Sequence, residues 1–149
     1  MMRTLPNRKR RAQRRVGAAV AEFAVVAPLF LMIVFGMFEF GRAIMVHQVL
    51  VNASREGARI AVLDGATIAQ VEAQVDSFLA ASGVVNEQVI YTLNGTEVSD
   101  PTGANSGFGD AVGVEVRVAF NDVSWLPVPQ YIGGQTLSAL CVMRRETYQ

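Results

Sequence analysis

The sequence predicts an α+β protein: a long N-terminal transmembrane helix continuing into a helix outside the membrane, a second helix, and a small antiparallel sheet of about three to four strands. Three observations predict it. From Ala18 to Phe40 the only ionisable side chains are Glu22 and Glu39. Past the apolar run, Ala43, Val46, Leu50, Ala53, Gly57, Ile60 and Ala61 recur at three- and four-residue spacing, which marks one face of a helix. Further on the spacing drops to two, most strictly at Val112, Val114, Val116, Val118 and Phe120, which marks a strand.

The apolar run from Ala18 to Phe40, wound as a helix, is about 35 Å long, enough to cross a hydrocarbon core of about 30 Å. Arg3, Arg8, Lys9, Arg10, Arg11, Arg14 and Arg15 precede it with no acid among them, whereas only Arg42, Arg55 and Arg59 follow it closely. The positive-inside bias therefore puts the N-terminus in the cytoplasm and the rest of the chain outside. A secretory signal peptide has an apolar stretch of about 7–15 residues ending at small residues. This run is longer, contains Pro28 and ends in Phe38-Glu39-Phe40-Gly41-Arg42, so removal of the whole span is not expected. A twin-arginine export signal is disfavoured for the same reason, since Arg14-Arg15 runs into Val16 and Gly17.

Glu22 is the residue that a plain anchor explains least well, because a carboxylate in a span costs a few kcal/mol on insertion scales, about 3 at the centre. Taken alone, it is equally a shallow acid reaching the headgroups, a protonated one, or one half of a pair with a positive charge.

Past the span the helical stripe continues to Asp64-Gly65, a plausible stop. Together the two segments make one long helix, which Pro28 can kink; Gly36, Gly41 and Gly57 are soft points or close-packing positions. A second helix is signalled by the capping-box form of Thr67-Ile68-Ala69-Gln70 and by the apolar face Ile68, Val71, Val75, Phe78 and Leu79, with Gly83 at its end. Val89, Tyr91 and Leu93 alternate before Asn94-Gly95, and residues 137–145 form a third strand-like run. The intervening segment, Asn121 to Gln135, is too long and aromatic to be a plain connection. Trp125, Leu126, Val128 and Tyr131 are expected to fold back as a lid on the core in preference to forming a docking patch.

Catalytic constellations are absent from the sequence. His47 has no nearby serine or cysteine, and no metal-ligand spacing of Cys or His exists, so neither enzyme nor cofactor is expected. Asp100 to Asp110 lacks the lysine of a phosphate loop and the ligand spacing of a calcium loop, and reads as a flexible surface loop. Cys141 is the single cysteine, which forbids an internal disulfide and reads as a small buried hydrophobe. The chain has 13 basic and 13 acidic residues. Without residues 1–17 it has six basic against 13 acidic residues, a formal charge of −7. The basic tail thus serves targeting and topology, and nucleic acid is not an expected partner.

Three blocks in order carry a family resemblance: Gly17-Ala18-Ala19-Val20-Ala21-Glu22-Phe23-Ala24, Phe35-Gly36-Met37-Phe38-Glu39-Phe40-Gly41-Arg42 and Asn52-Ala53-Ser54-Arg55-Glu56-Gly57-Ala58-Arg59. The first is similar to prepilin-type proteins, and the three together resemble the TadE-like family, minor pseudopilins of the tight-adherence (Flp) pilus machinery. The resemblance covers residues 16–63 well and Leu137 to Glu146 more loosely. It implies a basic leader over 1–17, a transmembrane helix over 18–41 and a periplasmic, broadly pilin-like domain over 42–149. It implies a place in the bacterial inner membrane, with the pilus base or surface left open. It further implies cleavage between Gly17 and Ala18 by a membrane-embedded prepilin peptidase, making Glu22 the fifth and Phe23 the sixth mature residue. Glu22 of one subunit would then neutralise the new α-amino group of a neighbour. The implied partners are the membrane, the prepilin peptidase, the major pilin and other minor pseudopilins, with no small-molecule substrate. The alternative is an uncleaved single-pass protein whose periplasmic domain binds a ligand or envelope partner.

Overall fold

The computed structural model describes residues 8–103, 105–127 and 131–146, with side chains from Gly17 onward. The element order is α1 (Arg8–Ala61), α2 (Ile68–Ala81), β1 (Gln88–Leu93), β2 (Thr96–Val98), β3 (Ala111–Ala119), α3 (Phe120–Val123) and β4 (Thr136–Arg144). The class is α+β, with a helix long and apolar enough to cross a membrane. Compact packing divides the chain at Phe38 into a helical unit up to that residue and a folded unit from Glu39 onward.

In the first unit α1 includes Pro28 in its interior, and Val20, Phe23, Val25, Leu29, Phe30 and Ile33 are all more than half exposed. An apolar surface of that kind requires lipid or protein around it.

In the second unit the four strands form one antiparallel sheet in the order β2-β1-β3-β4. The strict alternation in β3 has the consequence the pattern demands: Val112, Val114, Val116 and Val118 are at most 2 % exposed, because every second side chain points to one face. That face receives Val46, Leu50, Ala53 and Ala61 of α1 and Val71, Val75 and Leu79 of α2. Each fully buried Val or Leu contributes about 1.5–3 kcal/mol, so this layer dominates the stability of the unit. α1, α2 and β3 meet at Gly57, where a Cβ would lie 2.8 Å from Val75 Cγ2 and 3.2 Å from Val114 Cγ1. Gly57 is therefore a close-packing position and not a soft point. On α2 the capping bond is present, Thr67 N–H donating to Gln70 Oε1 at 3.0 Å, while Phe78 is 38 % exposed and only borders the predicted apolar face.

The β1–β2 connection is a two-residue hairpin, with Leu93 opposite Thr96. Asn94 and Gly95 take φ of 53° and 84°, the left-handed pair a tight hairpin needs. The Asn94 side chain then ties the turn to β3, accepting from Ala111 N–H at 2.9 Å and donating to Asp110 Oδ1 at 2.8 Å. That donation, with the Gly107 N–H, holds the Asp110 carboxyl below the usual carboxylate range. Cys141 is half-buried on β4, less enclosed than its apolar surroundings in sequence suggest.

Tyr91 of β1 is 7 % exposed, and its hydroxyl has no hydrogen-bond partner among the described residues. Burial first, then the carboxylates of Glu72, Asp76 and Asp100, push it up from 10.0 to about 12. The fold thus holds the neutral phenol. This contribution is fully present below pH 10 and is lost as pH rises toward about 12, because the unfolded chain ionises first. Tyr91→Phe is expected to remove this alkaline dependence and to raise stability at neutral pH by about 1 kcal/mol, since an unpaired buried polar group costs about 1–3 kcal/mol. Urea unfolding at neutral and at alkaline pH checks both effects; a loss of stability at neutral pH would show that the hydroxyl has a partner.

Candidate functional site

The residues singled out by sequence for processing and assembly all lie on α1. Gly17, Ala18 and Glu22 are exposed, Phe23 is 71 % exposed, and a Cβ on Gly17 would meet nothing within 4 Å among the described residues. The sequence reading placed Gly17 ahead of the helix. In the structure α1 begins by Arg8 and the Gly17-Ala18 peptide is helical, because Arg, Lys, Ala and Gln are strong helix formers. Glycine is the weak point of that stretch, costing about 1 kcal/mol in a helix interior relative to alanine, so a helix opening at this bond opens most easily beside Gly17. The side chains of residues 8–16 and the whole of residues 1–7 lie outside the described residues.

A second site, at the end of the apolar run, was missed by sequence reasoning. Glu39 is 1 % exposed, and its Oε2 accepts the backbone N–H groups of Tyr131 and Ile132, each at 2.9 Å. One turn on, Arg42 is 7 % exposed; its Nε donates to the Val123 carbonyl at 2.7 Å, and its guanidinium lies 5.1 Å from the Trp125 ring centroid. These two α1 residues hold both ends of the loop that follows α3. Charged hydrogen bonds to backbone are roughly twice as strong as neutral ones, and burial makes each costly to leave unmade. The signal was present in Phe38-Glu39-Phe40-Gly41-Arg42, an acid and a base three residues apart closing an apolar run, but their partners lie 81 to 93 residues away.

The same loop corrects the expected core lid. Its described residues are held through polar contacts. Trp125 is 64 % exposed and Tyr131 45 %; Leu126 is half-buried; Val128 lies outside the described residues. Phe120 and Val123 of the short α3 supply the buried apolar contact in their place.

A third cluster closes the other end of the sheet. Arg145, just past β4, is 1 % exposed; its guanidinium donates to Ser106 Oγ and to Asp64 Oδ1, both at 3.0 Å, and crosses Gly103 at 3.2 Å from where a Cβ would lie. The described residues of the segment expected to be a flexible loop, 100–103 and 105–110, are thereby tied to the fold by specific hydrogen bonds. Thr102, 3 % exposed, bonds Asp100 Oδ1 through both its N–H, at 2.8 Å, and its hydroxyl, at 2.6 Å. A cleft of about 580 Å³ opens beside Asp64, lined also by Arg59, Ile60, Leu63, Gln70 and Gln74. On its rim Arg59 pairs with Glu56, which holds the Glu56 carboxyl below its ordinary value; both are water-facing, so the pair adds little stability. His47 is exposed on α1. Among the described residues, no group of three His, Cys, Asp or Glu side chains is placed to hold a metal.

No curated protein and no solved structure matches the chain. Residues 17–59, from Gly17 through the apolar helix to the Glu56–Arg59 pair, match the family model for TadE-like protein, the family that the three sequence blocks resemble.

Proposed function

We propose that the chain is a minor pseudopilin of a Flp-type pilus assembly system, cleaved by a prepilin peptidase between Gly17 and Ala18 and acting in pilus assembly or initiation. The observation that carries this reading is that the TadE-like match begins on Gly17 itself and runs through the apolar helix. The TadE-like family is pilus-associated and structural, which supports an assembly role for the chain. In this reading residues 1–17 are the leader, 18–41 the transmembrane helix and 42–149 the periplasmic domain, with the N-terminus cytoplasmic. Its partners are the peptidase, the major pilin and other minor pseudopilins.

The mechanism is assembly. Cleavage removes seven basic residues and leaves an α-amino group on Ala18, at the membrane border. Packed helix against helix, the exposed apolar surface of one subunit covers that of the next, and Glu22 of one chain faces the new ammonium of its neighbour in low dielectric. Phe23 adds apolar contact beside that pair.

Co-expression with a prepilin peptidase tests this. The protein is expected to shorten by 17 residues, and Gly17→Val, which puts a branched side chain at the scissile bond, is expected to block the shortening. A full-length chain in the presence of an active peptidase would favour the uncleaved envelope-binding protein instead.

A further inference from the structure

The loop after α3 carries the chain's single tryptophan and turns it outward. Trp125 and Tyr131 are 64 % and 45 % exposed, although the chain is tied down beside each: Glu39 holds the backbone at Tyr131 and Ile132, and Arg42 holds Val123 and underlies the indole. The Trp125 ring and the Tyr131 backbone are thus held by a single turn of α1, residues 39–42. That turn is where the apolar run ends, and Phe40 and Ile44, within one turn of it, are 58 % and 60 % exposed.

Two amphipathic rings beside exposed aliphatic and aromatic side chains, at the terminus of a membrane-crossing run, have the composition of the water–lipid interface. Trp and Tyr suit that layer because one end of each ring system is apolar and the other donates a hydrogen bond. A water-facing role would leave large apolar area exposed with no gain, and the polar contacts of Glu39 and Arg42 would then serve to expose it.

We propose that Trp125 and Tyr131 form an interfacial membrane anchor, with both rings seated in the headgroup layer of the leaflet on the domain's side. Glu39 and Arg42 are its positioning residues, satisfied by the loop backbone so that neither acid nor base is left bare at the border. This anchor holds the folded unit at one height on the bilayer, a constraint that a single helix does not supply. It rests on the single-pass reading of α1.

Because Trp125 is the only tryptophan, its fluorescence reports the anchor directly. The full chain is reconstituted in phosphatidylethanolamine–phosphatidylglycerol vesicles whose acyl chains are brominated either near the ester or near the methyl end. Flotation with the vesicles after carbonate washing reports the span. Trp125 emission is expected to lie at the blue side of that of a water-exposed indole, to lose most of its intensity to the shallow bromines and to lose less to the deep ones. A Trp125→Phe, Phe78→Trp chain, with its reporter on the water-facing border of α2, is expected to lose none. A chain that floats but whose Trp125 emission is unaffected by either lipid overturns the anchor and leaves the span standing. Equal quenching at both reporters overturns it too, since the whole domain would then lie on the bilayer. A chain that does not float overturns the span and the anchor together.

Discussion

Replacing Glu22 by glutamine is expected to leave membrane insertion and cleavage intact and to abolish pilus assembly. Insertion becomes easier when a charge leaves the span, and the scissile bond lies five residues away. Assembly fails because a neutral amide cannot balance a buried ammonium on the neighbouring subunit. Leaving one partner of a buried pair uncompensated costs about 3–5 kcal/mol, which lowers subunit association by about two orders of magnitude or more. Surface pilus yield at matched protein level measures it, with Glu72→Gln, a water-facing acid of α2, as the control. Normal yield from the Glu22→Gln strain would show that Glu22 is a tolerated interfacial acid.

Glu39→Leu is expected to destabilise the folded unit by about 3 kcal/mol, and for a different reason. By sequence alone Glu39 is simply the second acid of the apolar run, at its far border. In the fold its carboxylate accepts two backbone N–H groups. Hydrogen bonds to charged groups contribute about 1.5–3 kcal/mol each, and the stranded donors add their own desolvation cost. Amide hydrogen exchange checks it: protection at Val114 and Val116 in the centre of the sheet should fall by about two orders of magnitude with the global stability, and protection at Tyr131 and Ile132, whose shared acceptor is gone, by at least as much. Unchanged protection at Tyr131 and Ile132 would mean that the loop is held by something else.

The contrast between these two acids shows what could be read from sequence. Periodic elements were legible because their cause is local: β3 declares itself through alternating valines, α2 through Thr67, Gln70 and Gly83, and the apolar helix through its composition. The three-residue strand β2 and the four-residue α3 carry too few positions to show a period, although Asn94-Gly95 marked the hairpin. Burial of Glu39, Arg42 and Arg145 was illegible for a deeper reason. Charged residues are almost never fully buried unless paired, and their partners come from loops distant in sequence and without pattern. Trp125 failed in the opposite sense, because large aromatics dominate cores and nothing local says that this one rests on a guanidinium in the open. The residues proposed for processing and assembly, Gly17, Ala18 and Phe23, are singled out only by the order of the three sequence blocks, whereas Glu22 stands out alone as a carboxylate in an apolar run.

A prepilin-type subunit declares itself in its first residue, read from the chain extracted from the membranes of piliated cells. N-terminal sequencing is expected to return Ala18-Ala19-Val20-Ala21-Glu22-Phe23. A chain that still begins at Met1, or one that begins beyond Phe40, would contradict it.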